Sequence, residues 1–217
     1  MVQKAERPTR AKAVATAGTR PRGRPRAYDP AIALARAADV FWKKGYDGTS
    51  LDDLAAATGM NRPSLYAAFG DKRALYLKTL QHYRDEARTV SLSLLADKPP
   101  LRVYLARFYK VALDLYLNGG ARGCYMIGTA ATQSVTDPTV RAFVAESIRG
   151  TDMFLTRLIA EARERGDIAR SADAAALAQV ATAMLHTMAV RARAGLARKD
   201  LEALAAAAID TICGPAR

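Results

Sequence analysis

The sequence predicts an all-α protein, with a helix-turn-helix near its N-terminus and a larger helical half behind it. Three observations carry this prediction. From Pro30 onward, apolar residues recur at the i, i+3, i+4 spacing of helices. No alternating apolar-polar run bounded by turn residues argues for a strand. Asp-Pro pairs, hydroxyl residues and glycines fall where such helices must start and stop. Half of the 217 residues are hydrophobic and a quarter are charged, a composition that folds.

Residues 1–27 stand apart. Through Asp29 the chain carries Lys4, Arg7, Arg10, Lys12, Arg20, Arg22, Arg24 and Arg26 against only Glu6 and Asp29. This local excess of +6 is half the net charge of +12. The segment has almost no large apolar residue, so it is expected to remain a disordered basic arm.

Asp29-Pro30 is a cap followed by proline at the first helical position, and the helix it opens should end before Gly45. Thr49 or Ser50 caps a short helix over residues 51–57, which Gly59 ends. Another short helix covers 62–69, and a longer one runs from about Asp71 towards Arg88. Pro99-Pro100 breaks the chain before a helix over 101–117, which stops at Gly119-Gly120. A helix is expected to begin near Gly123. Asp137-Pro138 then opens one long helix, with Val140, Phe143, Val144, Leu155, Leu158 and Ile159 on one face, ending near Gly166. Two alanine-rich helices close the chain. Their small side chains suit close approach to a second copy, so they are the expected dimer contact.

Composition limits the function. So basic a protein is expected to meet an anionic partner. Cys124 and Cys213 make no disulfide framework, and His82 and His186 are too few for a histidine-rich metal site or triad, so no metal and no cofactor are expected. No P-loop, GxSxG, GxGxxG or HExxH motif names an enzymatic reaction. No apolar run reaches the roughly 18 residues of a membrane span, and no apolar export signal opens the chain, so a cytoplasmic protein without membrane contact is expected.

The most informative stretch is TSLDDLAAATGMNRPSLYAAFGDKRAL, residues 49–75. Two short helices flank a tight turn through Gly59, which can take the left-handed backbone a sharp corner requires. Leu51, Leu54 and Ala55 can face Leu65 and Phe69. With Phe41, the pairs Gly45-Tyr46, Thr49-Ser50 and Leu54-Ala55, then Ala57, Gly59, Leu65-Tyr66, Phe69, Lys72 and Leu75, this stretch resembles the TetR/AcrR family of transcriptional repressors. The likeness runs over residues 31–77. Beyond it, only the all-helical layout matches.

The resemblance implies three parts: the arm at 1–27, a DNA-binding domain at 28–77, and a ligand-sensing and dimerisation domain at 78–217. Thr49, Ser50, Tyr66 and Lys72 are implied to approach DNA phosphates, and Asn61, Arg62, Pro63 and Ser64 to face the bases. Helix N-termini and lysine do suit phosphate, and arginine and asparagine offer paired donors to bases. One departure stands out. Many relatives carry an aromatic residue and a histidine where this chain has Ala67 and Ala68, which offer only apolar contact. In the arm, Arg22-Gly23-Arg24-Pro25 has the core of an AT-hook, with Arg22 and Arg24 placed to reach along an A·T-rich minor groove.

The implied partners are double-stranded DNA, a second copy of the chain and a small effector. Tyr104, Phe108, Tyr116, Met126, Phe154 and His186 are expected around an apolar or aromatic effector, although ordinary core is the commoner role for such residues. Cys124, beside Gly123 and Arg122, offers the alternative of a thiol that senses oxidants or electrophiles, weighed against a small buried hydrophobe. A further alternative is an architectural binder of A·T-rich DNA, dominated by the arm.

Overall fold

The computed structural model describes residues 28–215. The arm, with Arg22 and Arg24, lies outside the described residues. Side-chain acceptors open most of the helices. Asp29 accepts from the backbone N–H groups of Ala31 and Ile32 and starts α1 (Pro30–Lys44). Ser50 and Asp53 form a reciprocal capping box at α2 (Leu51–Thr58). Asn61 caps α3 (Arg62–Phe69), and Asp71 caps α4 (Lys72–Ser93). The chain continues through α5 (Leu101–Leu117), α6 (Tyr125–Ala131) and α7 (Gln133–Thr136). Asp137 caps α8 (Pro138–Arg165), Asp173 caps α9 (Ala174–Arg193), and α10 (Arg198–Cys213) closes the fold. The described residues are all-α, as the periodicity predicts.

The differences are local. The helix expected near Gly123 is two short ones, α6 and α7, and begins at Tyr125. Gly123 itself has a left-handed backbone (φ +63°), and a Cβ there would lie 2.7 Å from the Ala189 carbonyl oxygen of α9. Close approach, not helix initiation, is its role. Helix α4 runs to Ser93, five residues beyond the expected Arg88.

Two hydrophobic cores form. One joins α5, the second half of α8, α9 and α10 around Tyr104, Leu105, Leu155, Ile159, Met188 and Leu201. The other holds α1–α4 around Phe41, Trp42, Leu54, Leu65 and Tyr76, and it also takes in Tyr125, Met126, Val140 and Val144. Thus α6 and the start of α8 pack with the helix-turn-helix. The boundary expected at 77–78 falls inside α4, which both halves share.

An ion pair reinforces this join. Arg73 of α4 donates to both oxygens of Asp137, at 2.6 and 2.9 Å, while Asp137 also accepts from Thr139 and Val140 at the start of α8. Hydrogen bonding from Arg73 holds the Asp137 carboxyl down at about 2, well below the usual carboxylate range. A depressed carboxylate adds stability above its unfolded pKa and loses it as pH falls through its folded value. Replacing Asp137→Ala should therefore cost about 1 kcal/mol near neutral pH, mainly through the lost cap. Urea unfolding of both proteins should show this gap narrowing as pH falls from about 4 towards 2.

Candidate nucleic-acid interface

Local contacts set the angle between α2 and α3. Gly59 turns the chain in the left-handed conformation (φ +70°). Thr58 donates its hydroxyl to the Leu54 carbonyl and accepts from the Met60 N–H. Leu54, Met60, Leu65 and Phe69 are buried between the helices. These anchors turn the opposite face of α3 outwards. Asn61, Arg62, Pro63, Tyr66 and Ala67 are exposed, and Ser64 is half-buried.

The structure revises the part played by Thr49. Its side chain is buried, and its hydroxyl donates to the Gly45 carbonyl at 2.6 Å. It braces the α1–α2 turn from inside and presents no hydroxyl to a ligand. Ser50 is exposed at the α2 N-terminus, where its hydroxyl accepts from the Asp53 N–H. The Asp53 carboxylate accepts from Lys44 at 2.7 Å and from the Ser50 N–H at 2.9 Å, and these hydrogen bonds hold it down at about 2. Asn61 uses its side-chain oxygen to accept from the Ser64 N–H. Lys72 lies with its Nζ 4.4 Å from the centre of the Tyr46 ring, which itself stacks on Phe41.

Arg62 is engaged by a residue that the motif does not single out. Its Nε and Nη2 donate to the two oxygens of Asp52 on α2, at 2.8 and 2.5 Å. Opposite charges ten positions apart, on either side of a tight corner, were the available signal. Ala67 and Ala68 line an open depression of about 280 Å³ together with Tyr28, Pro30, Ser64 and Phe69. Small side chains at these two positions leave that space beside α3.

The residues expected around an effector divide between the two cores. Tyr104 is buried, stacks on Phe108 at 5.9 Å, tilts against Phe154 at 6.2 Å and donates to the Ser91 carbonyl. Met126 belongs instead to the core of the helix-turn-helix. His186 is half-buried on α9, and burial lowers its pKa. Tyr116 is buried with its phenol next to Cys124, and burial raises its pKa. Cys124 is half-buried, with its Sγ 3.3 Å from the Tyr83 hydroxyl. A second open depression, of about 340 Å³, is lined by Ile168, Leu177, Ile212 and Cys213 among others, and none of the residues expected around an effector lines it.

A helix-turn-helix with an outward-facing α3, packed against a larger helical half, defines the class of DNA-binding transcriptional regulators. Comparison with known proteins narrows the class. The family model for bacterial regulatory proteins of the tetR family matches residues 33–79, and that for a tetracyclin repressor-like C-terminal domain matches residues 101–209. The chain belongs to the TetR family of transcriptional regulators. It is 28% identical to the transcriptional repressor ComR of Escherichia coli, over 85% of this chain and 89% of that one. It is 31% identical to the regulator YezE of Bacillus subtilis, over 72% of this chain and 82% of that one. Among solved structures, a cysteine mutant of the TetR-family regulator CifR complexed with 26-bp operator DNA is 30% identical. The match covers 86% of this chain and 98% of that one, with a TM-score of 0.77. Among the described residues, no helix is long and apolar enough to cross a membrane.

The inward hydroxyl of Thr49 has a measurable consequence. Thr49→Val should lower stability by about 1 kcal/mol, because the Gly45 carbonyl loses its partner. The salt dependence of DNA binding should not change, since no phosphate contact is removed; thermal melts and binding titrations over a salt series check the two halves of this expectation.

Proposed function

We propose that this chain binds a palindromic operator as a homodimer, reads it with α3, and is released by a small apolar or aromatic effector bound in the helical half. The observation that carries the reading is the packing of α6 and the start of α8 into the core of the helix-turn-helix. Tyr125 and Met126 of α6 and Val140 and Val144 of α8 are packed into the helix-turn-helix. A rearrangement of the helical half is thereby coupled to the position of α3. Effector binding then needs a differential affinity of only a few kcal/mol between the two arrangements.

The relatives support operator binding: ComR is a repressor, and CifR was solved on a 26-bp operator. Phosphate contacts are assigned to Ser50, Tyr66 and Lys72, and base contacts to Asn61, Arg62, Pro63 and Ser64, all outside the buried anchors of α3. For the dimer contact, exposed apolar side chains favour α8 with α9. Met153 on α8 is 64% exposed, and Val190 on α9 is 56% exposed. Helix α10, expected from the sequence to take part, buries its large apolar residues Leu201, Ile209 and Ile212 within its own chain. Two-fold pairing would set the α3 helices about 34–36 Å apart, in successive major grooves.

Footprinting on the adjoining promoter DNA across a salt series tests the reading. A protected palindrome, bound about a thousandfold or more above random DNA, is the expected result. The double change Arg22→Ala, Arg24→Ala should weaken binding and lower the salt slope by about 2, since each phosphate-neutralising cation contributes about one. Unaltered affinity and slope would remove the arm from the interface.

A second reading is favoured by the position of Cys124. Its thiol is 3.3 Å from the Tyr83 hydroxyl, and Tyr83 packs edge-on to both Trp42 and Tyr125 in the shared core. An adduct on this sulfur would push directly on that packing. Treatment with N-ethylmaleimide should then release DNA from the wild type and not from Cys124→Ser. Slow labelling with DNA binding intact would leave Cys124 as a packing residue.

A further inference from the structure

We infer that Asp52 is a positioning residue for base recognition: it holds the Arg62 guanidinium by its Nε–Nη2 edge so that the adjoining Nη1–Nη2 edge reads a guanine in each half-site. The inference rests on the reading that α3 enters the major groove. An arginine guanidinium presents two usable edges, Nε–Nη2 and Nη1–Nη2, each with two parallel N–H donors. The Nε–Nη2 edge of Arg62 is fully used by Asp52, at 2.8 and 2.5 Å. The Nη1–Nη2 end is left with donors that make no hydrogen bond among the described residues.

The rest of the residue is fixed as well. Arg62 is the first residue of α3, between its cap Asn61 and Pro63. Backbone and guanidinium are therefore both constrained, and less side-chain freedom is lost on binding. The pair lies at the surface, with 55% of the Arg62 side chain and 73% of the Asp52 side chain exposed. A carboxylate there faces phosphate repulsion, which a positioning role would offset.

The free edge has a definite chemical preference. Guanine offers two acceptors, O6 and N7, to the major groove, whereas adenine replaces one of them with an N–H donor. Two parallel donors fit the first pattern and clash with the second. A loose arginine at the same site would swing to the nearest phosphate and bind all sequences alike.

Selection from randomised duplexes, followed by titration of the selected site and of its single-base variants, tests this. The full chain is compared with Arg62→Ala, Asp52→Ala, Asp52→Asn and the double variant Asp52→Ala, Arg62→Ala. The wild type should select guanine at one position of each half-site, and Arg62→Ala should lose that preference alone. Asp52→Ala should reduce discrimination at the same position by about tenfold. Its affinity for random DNA should stay level or rise, because a negative charge is gone. Asp52→Asn, which keeps one acceptor, should fall between, and the double variant should discriminate no worse than Arg62→Ala.

An unchanged base profile in Asp52→Ala, or a loss spread evenly over all positions, would overturn the inference. So would a selected palindrome whose guanines do not respond to Arg62→Ala. If the wild type selected no sequence at all, the groove reading itself would fail.

Discussion

The environment of Trp42 is the constraint on which the two halves of this protein depend. Trp42 lies in the last turn of α1, yet its partners come from α4, α6 and the loop before α6. Its Nε1 donates to the Arg122 carbonyl at 3.2 Å. Its ring stacks on Tyr125 at 5.7 Å and meets Tyr83 edge-on at 5.3 Å. The Arg122 guanidinium lies 4.0 Å above the same ring and donates to Asp39 on α1. The Arg122 carbonyl also accepts from Arg193 of α9. One peptide unit is thus held by α1 and α9 together. Gly123 permits this approach, since a Cβ would strike the Ala189 carbonyl. The helix-turn-helix is therefore not a bead on a tether. Its orientation is set by aromatic packing against the helical half.

The element order of the fold was accessible because its causes are local. Asp29, Asp71 and Asp137 each cap the helix that follows, and Gly59 takes the left-handed backbone of the corner. Leu54, Leu65 and Phe69 sit at spacings that suit a helix-helix corner, and all three are buried. Such features need no knowledge of distant parts of the chain. The motif also places Asn61, Arg62, Pro63 and Tyr66 on the open face of α3, because the buried anchors leave no other face for them.

What the sequence could not reveal depends on the direction a side chain takes in the fold and on contacts distant in sequence. Thr49 looks like a free hydroxyl at a helix start, but the fold turns it towards Gly45 and leaves Ser50 as the cap. Met126 reads as one more apolar residue of the helical half, yet it belongs to the core of the helix-turn-helix. Arg122 and Trp42 are 80 positions apart, and no periodicity links them. The aromatic residues Tyr104, Phe108 and Phe154 illustrate another limit. Core and pocket draw on the same residue types, and only packing partners distinguish them.

The magnitudes of the joints between the halves indicate where a signal has most leverage. Arg73–Asp137, Gln133–Asp47 and Arg84–Glu146 cross the junction as polar contacts of 2.6–3.2 Å. Solvent and salt weaken such pairs, which typically contribute 0–1 kcal/mol each when exposed. They bias the arrangement without fixing it. Tyr125, 3% exposed, contributes buried area and ring contacts, and its hydroxyl is hydrogen-bonded to Thr79 in the interior. Disturbing a well-packed aromatic residue of this kind costs about 1–3 kcal/mol, because cores have few ways to absorb a misfit. That matches the few kcal/mol by which an allosteric ligand must separate two states. A change at the surface pairs is too weak to move α3 alone. A change at the Trp42–Tyr83–Tyr125 cluster is large enough, and Cys124, with its Sγ 3.3 Å from the Tyr83 hydroxyl, is the side chain through which a signal of the proposed kind would reach that cluster.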